Sequence, residues 1–303
     1  MGSPRKGILV YNPKAGARDR RDEVREAVER SRSRGLELLA FATERPGHAT
    51  ELVRQHVDEA PDVVVAGGGD GTVAEVARAY EALARHGTAL AILPLGTVNV
   101  VAREYRIGTD PAKAEELFLS PNTRRLTVWQ AGDRASLIGV GVGFDARVMA
   151  RSIPILKKLF GRGGYGITAT LEWLKYEFPR LTVTGLDADG APFSREATFL
   201  IAANTARYGG DPLMSPFADP ESDLVDLVLV TFTSTVSLFR FYARLSRGKA
   251  EQLRLPGVTR MPVRCFSVES RAGYPVEVQV DGDCVGLTPI VVERLGSLPL
   301  LVP

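Results

Sequence analysis

The sequence predicts an α/β protein in two parts. A parallel, helix-covered sheet spans residues 1–126, an antiparallel β-sandwich spans 127–290, and residues 291–303 are available to complete the first part. Three observations predict this. Short β-branched runs alternate with segments of helical apolar spacing up to about residue 125. After Arg125 the runs become short, β-rich and separated by turn residues. Glycine-bearing turns follow three of the early strand runs, where an open α/β sheet binds its ligands.

The elements come in this order. GILVYNP (7–13) is a strand ending in a turn, and DEVREAVERSRSRG (22–35) is a helix closed by Gly35. LELLAFAT (36–43) is a second strand, followed by a helix from about residue 48 to 59. Val63, Val64 and Val65 form a short apolar run that reads as a buried strand. GGGDGT (67–72) comes next, and then Val73, Val76, Ala77, Tyr80 and Leu83 recur at helical spacing. Thr72 with Glu75 three residues on fits a capping box, which places a helix start there. Residues 89–93 repeat the theme with a strand, a turn through Gly96 and Thr97, and a helix to Tyr105 with Thr97 as N-cap. This order predicts a Rossmann-like sheet. Beyond it, RLTVWQAG, ASLIGVGVGFDARVM, RLTVTGLDADG, REATFLIAANTA, DLVDLVLVTF, VRCFSVES and VEVQVDGDCVGL are the candidate sandwich strands, interrupted by helical patches at about 165–178 and 234–253.

Bulk composition excludes several classes. The chain has 303 residues, 45% of them hydrophobic and 24% charged, as in ordinary globular proteins. A net charge of +2 gives no argument for nucleic acid as a partner. The arginines between Arg18 and Arg34 are interspersed with glutamates and read as a solvated helix face. Two cysteines, Cys265 and Cys284, make neither a metal site nor a disulfide framework, which points to a reducing cytoplasm. No apolar run reaches the ~20 residues of a spanning helix, and no signal peptide is expected.

The turns carry the chemistry. A strand-to-helix turn aims free N–H groups at its occupant, the arrangement that binds phosphate. Asp70 beside bare phosphates needs an intervening cation, which points to Mg²⁺. Lys14 and Arg18, next to the first turn, are placed to neutralise phosphate charge. Asp281 lies in VDGD, where DG between alternating runs is a hairpin signal by itself. SIPILKKLFGRG and SLFRFYARLSRGK interleave apolar and basic residues in the manner of interfacial segments, a pattern that core helices with a charged outer face share.

NPKAG, GGGDGT, PLGTVN, GVGFDA and VDGD, in this order, resemble the soluble bacterial diacylglycerol kinase and sphingosine kinase family over essentially the whole chain. The resemblance implies an ATP-dependent lipid kinase that uses Mg²⁺, with its nucleotide cleft between the two domains. It implies nucleotide contacts from Asn12, Gly16, Thr43, Gly67, Gly68, Gly69, Gly71, Thr72, Gly96, Thr97 and Asn99, with Lys14 and Arg18 nearby. Asp70 would join the Mg²⁺–water network, Asp281 would be the general base, and Asp145 would lie near the acceptor's polar head. In SPFADPESDLVD, Asp223 and the weaker candidate Asp219 would hold a second Mg²⁺. Val100 stands where many relatives have aspartate, Ala74 where asparagine is usual, and Leu224 follows Asp223 where glycine is usual. A lipid substrate at the membrane surface is the expected partner, with no nucleic acid and no transmembrane segment. Peripheral attachment at the inner membrane face and a homodimer stay open. A small-molecule kinase of the NAD kinase type and a non-catalytic nucleotide or lipid sensor are the alternatives.

Overall fold

The computed structural model describes residues 5–151, 175–207, 212–271 and 274–303. The chain divides into two compact units, Met1–Trp129 with Leu295–Pro303, and Gln130–Arg294.

The first unit runs β1 (Arg5–Tyr11), α1 (Arg21–Ser33), β2 (Leu36–Ala42), α2 (His48–His56), β3 (Val63–Gly68), α3 (Asp70–Ala77), α4 (Tyr80–His86), β4 (Ala89–Pro94), α5 (Val100–Glu104), α6 (Pro111–Ala114) and into β5 (Thr123–Ala131). Strands β4, β3, β1 and β2 lie side by side in that order, all parallel. Every residue of β3 is buried, as a central parallel strand requires. Leu9, Val63, Val65, Ala91 and Leu93 pack with Val24 and Ala27 of α1 and with Phe118 and Leu301. The parallel register fixes where the turns emerge. Tyr11 sits opposite both Ala42 and Gly67, and Gly67 sits opposite Leu93. The turns after all four strands therefore leave the sheet at one level of one end.

One expectation fails here. The apolar spacing from Val73 to Leu83 predicts a single helix, yet the chain breaks into α3 and α4. The break lays the Tyr80 ring over Gly296, where an added Cβ would collide with ring carbon Cε2. Long-range packing overrides local periodicity at this point.

The second unit contains β6 (Arg134–Ser136), β7 (Gly139–Val142), α7 (Phe144–Arg151), β8 (Leu181–Asp187), β9 (Pro192–Ala197), β10 (Phe199–Ala203), β11 (Val225–Val230), α8 (Thr235–Leu245), β12 (Val258–Ser270), β13 (Glu277–Val280), β14 (Asp283–Leu287) and the start of β15 (Ile290–Leu301). The order β14, β13, β7, β10, β11, β12 is antiparallel throughout. Strand β12 pairs with β11 through its first half and with β8 through its second, with a register irregularity between Val263 and Cys265. One long strand thus serves two sets of partners, which suits the predicted sandwich.

Helix α8 sends Leu238, Phe241 and Leu245 into a cluster with Phe144, Tyr176, Phe199, Ile201 and Met214. The Phe199 and Phe241 rings meet edge to face, with centroids 5.5 Å apart. The predicted helical patch at 165–178 and the segment SIPILKKLFGRG fall wholly or mostly on residues 152–174, outside the described residues. The run ASLIGVGVGFDARVM, expected as a strand, is a strand only to Val142 and continues as helix α7; the patch predicted at 234–253 is also shorter than expected. It forms α8 and then a separate turn of 3-10 helix at Glu251–Arg254, with Gly248 at φ +68° between them. Truncating the fully buried Phe241 to Ala is expected to cost about 3–5 kcal/mol. The urea midpoint followed by far-ultraviolet circular dichroism measures it.

Candidate active site

Four turns predicted to border a nucleotide meet at the carboxyl ends of β1 to β4. The Asn12 N–H donates to the Gly67 carbonyl at 2.9 Å, and the Thr43 N–H donates to the Tyr11 carbonyl at 2.8 Å. The Gly68 carbonyl accepts from both Leu95 and Gly96 N–H groups, at 2.9 and 3.1 Å. A Cβ on Gly96 would collide with the Gly69 Cα, so these two turns approach backbone to backbone. Gly68 is equally committed, because the Thr72 hydroxyl fills the place its Cβ would take. Gly71 differs: beyond its chain neighbours and its own helix backbone nothing lies within 4 Å of that position, and the residue is exposed. Internal packing therefore accounts for Gly68 and Gly96, and leaves Gly71 as the open part of the loop.

Side chains lock these turns. Asn99, buried at φ +52°, accepts the Gly96 N–H and donates to the Gly96 carbonyl. Asparagine tolerates that left-handed backbone better than most residues. Asn99, not Thr97, occupies the N-cap position of α5, and Thr97 is exposed. Both oxygens of Asp70 accept main-chain N–H groups, from Val100 and Val101, each at 3.0 Å. Burial pushes the Asp70 carboxyl above its ordinary value, against the pull of those two donors. The predicted capping box does not form: helix α3 begins at Asp70 with Gly69 as its N-cap. Glu75 instead accepts the Gly47 and Ala49 N–H groups and so holds the start of α2. Lys14 and Arg18 are exposed on the rim of the first turn.

Arg20, one of the arginines expected to lie on a solvated face, is mostly buried. Its Nε donates to the Ala15 carbonyl and its Nη2 to the Leu95 carbonyl, tying the turn through Gly16 to the turn before Gly96. Its Nη1 also pairs with Glu23, three residues on, but the contact that draws it inward, to Leu95, lies 75 residues away.

In the second unit, the Asp281 turn docks on the strand before α7. Its Oδ1 accepts from the Ser136 hydroxyl and the Ile138 and Gly139 N–H groups, at 2.8, 3.0 and 2.9 Å. Its Oδ2 accepts from the Leu137 N–H at 2.8 Å. Burial raises the Asp281 carboxyl above its ordinary value, and these donors pull it back. Asn204 clamps the same stretch, donating from Nδ2 to the Leu137 carbonyl. Gln279 is fully buried and accepts the Gly282 N–H at 2.7 Å. Its Nε2 and the Asp145 Oδ2 lie 2.6 and 2.9 Å from where a Gly141 Cβ would be, so Asp145 and the Asp281 turn belong to one neighbourhood. Gln279 lies on β13, which is paired with β7 on one side and β14 on the other.

The segment expected to hold a second Mg²⁺ is organised by arginines. Asp223 pairs with Arg294 at 2.7 Å, and Asp219 accepts the Glu221 N–H. The buried Asp226 accepts from Arg260 and from the Ser215 hydroxyl, while the Arg260 guanidinium stacks on Phe217 at 4.1 Å. Among the described residues no three His, Cys, Asp or Glu side chains gather as metal donors. Asp223 is paired with a guanidinium, whereas Asp219 accepts only a main-chain N–H among the described contacts.

The chain matches the diacylglycerol kinase catalytic domain over residues 6–131 and the YegS C-terminal, NAD kinase β-sandwich-like domain over residues 139–301. A probable YegS-like lipid kinase from Pseudomonas putida is 32% identical over 75% of this chain and 74% of its own length. The chain belongs to the diacylglycerol kinase family. It is a lipid kinase. A diacylglycerol kinase of Staphylococcus aureus is 26% identical over 93% of this chain and 87% of its own. In fold, a solved diacylglycerol kinase structure from Bacillus anthracis aligns over 100% of this chain and 98% of that one, with a TM-score of 0.70 at 20% identity.

Two outcomes test this geometry. Gly96→Ala, which forces the Gly68–Thr72 and Gly96–Asn99 turns apart, is expected to cost about 1–3 kcal/mol in thermal unfolding and to weaken ATP binding in titration calorimetry. Treating the nucleotide-free protein with EDTA is expected to move its Tm by less than ~2 °C, since Arg294 and Arg260 already pair with Asp223 and Asp226 of the 213–226 segment.

Proposed function

We propose that this lipid kinase transfers the γ-phosphoryl group of ATP to a hydroxyl of a lipid of diacylglycerol or long-chain-base type. The observation that carries the reading is the gathering of four turns, around Asn12, Thr43, Gly68 and Gly96, at one end of a parallel sheet. Phosphoryl transfer asks a protein chiefly for positioning and charge neutralisation. Main-chain N–H groups at the start of α3, beside the open Gly71, suit phosphate oxygens, and Lys14 and Arg18 add exposed positive charge.

Mg²⁺ bound with the nucleotide would neutralise phosphate charge, and Asp70 is the residue proposed to hold its waters. The lone pairs that Asp70 does not give to Val100 and Val101 remain for that role. The Asp70 contact to the Val100 N–H needs no side chain at position 100, so valine there is compatible with the site.

Asp281 is the proposed general base. Its Oδ1 is filled by three donors, whereas Oδ2 accepts one and keeps a lone pair for the acceptor's proton. The acceptor oxygen then bonds to the γ-phosphorus, the bond to the bridging oxygen breaks, and ADP leaves. Asp145, buried in the neighbourhood of the same turn, is proposed to face the acceptor's polar head.

Labelled ATP with Mg²⁺, offered a total lipid extract and NAD separately, is expected to put label into lipid. Label in NAD would favour a small-molecule kinase, and nucleotide binding without transfer to either would favour a sensor. A second outcome stems from the raised Asp281 carboxyl. A base must be unprotonated, so kcat/KM is expected to fall in acid with an apparent pKa above the ordinary 3.8, and Asp281→Asn to remove that limb and at least ~10²-fold of the rate. Stability runs the other way. A raised carboxyl contributes stability that is fully present below its unfolded value and lost as pH rises through its folded value. Parallel pH–rate and pH–melting profiles separate the two effects.

A further inference from the structure

Helix α8 has two faces of different character. Leu238, Phe241 and Leu245 point into the cluster that also holds Phe144 and Tyr176. On the opposite side Val236 is 57% and Phe239 52% exposed, in one stripe with Arg240 and Ala243. The run from Thr235 to Lys249 contains Arg240, Arg244, Arg247 and Lys249 and no acidic residue. Arg240, Arg247 and Lys249 are exposed, and among the described residues Arg247 alone of the three meets an acid, Glu251 at 3.6 Å. No helix among the described residues is long and apolar enough to cross a membrane. Exposed valine and phenylalanine flanked by an excess of positive charge match a surface that is apolar beneath and negative on top.

We propose that the outer face of α8 docks the protein onto an anionic bilayer, with Val236 and Phe239 entering the headgroup boundary and Arg240 and Lys249 meeting lipid phosphates. This deepens the lipid-kinase reading and rests on it for the acceptor. The inner face gives the docking a purpose. Tyr242 packs against Phe144 with ring centroids 5.3 Å apart, and its buried hydroxyl has no hydrogen-bond partner among the described residues. Phe144 immediately precedes Asp145, so one helix separates the docking surface from the proposed acceptor residue. A lipid lifted from the bilayer at α8 has a short way to travel.

The test uses the full chain with Arg240→Gln and Lys249→Gln together, beside Arg85→Gln as an exposed control on α4. Binding is measured by co-sedimentation with phosphatidylcholine vesicles, with and without phosphatidylglycerol. Turnover is measured on long-chain diacylglycerol in those vesicles and on monomeric dioctanoylglycerol. The double variant is expected to bind anionic vesicles about 25-fold more weakly, from ~1 kcal/mol per basic residue and tenfold per 1.4 kcal/mol. Its turnover of vesicle-borne substrate falls with binding, its turnover of the monomeric substrate stays at the wild-type level, and the control matches wild type. Wild-type binding by the double variant, or equal loss by the control, overturns the proposal. Should the wild type phosphorylate neither substrate while the double variant still loses vesicle binding, the acceptor reading fails and the docking surface stands.

Discussion

A carboxylate taken out of water must find donors, and in this protein the donors are main-chain amides. Asp70 accepts from Val100 and Val101, Glu75 from Gly47 and Ala49, and Asp281 from Leu137, Ile138 and Gly139. An unpaired buried charge costs far more than any one of these bonds returns, so each acid and the loop it holds are bound to the same conformation. Removing the acid would free the loop; displacing the loop would strand the acid. Everything proposed for the catalytic chemistry depends on that mutual dependence. Asp70 and Asp281 are held in place by the loops they organise, as acids assigned to phosphoryl transfer must be.

The two units use different scaffolds for this. In the first, parallel register sets four turns at one level, and side-chain-free contacts between the turns at Gly68 and Gly96 let their backbones touch. In the second, a hairpin turn is pinned to a neighbouring strand end through one aspartate, with Gln279 and Asn204 bracing it. The first arrangement leaves Gly71 exposed and open. The second leaves one carboxylate oxygen with a single donor, and a base needs such an oxygen. Arginine does the remaining bracing: Arg20, Arg260 and Arg294 each bond main-chain or carboxylate oxygens that would otherwise need water or a cation. In the 213–226 segment, guanidinium groups meet both Asp223 and Asp226.

Local periodicity foretold the strands of the first unit closely, because each is a short apolar run between turn residues. It also foretold the change to antiparallel pairing after Arg125. Three of the places it misjudged share one reason. The helix after Thr72 breaks so that the Tyr80 ring can lie over Gly296, more than two hundred positions on. Glu75 abandons the local cap that its spacing suggests and bonds α2. Arg20, lying in a run of charges that reads as solvated, is drawn inward by the Leu95 carbonyl.

By itself the sequence determined the fold class, the family and the strands of the first unit. These properties come from period, turn chemistry and motif order, which are local in the chain. Tertiary structure alone decided which donors meet which buried acids. The Asp70 contacts span 30 and 31 residues and the Asp281 contacts 142 to 145, distances over which no periodicity carries information. It also decided that Gln279 and Asn204 are interior and that Asp223 faces an arginine. A polar residue's role is set by what the fold brings beside it once water is gone.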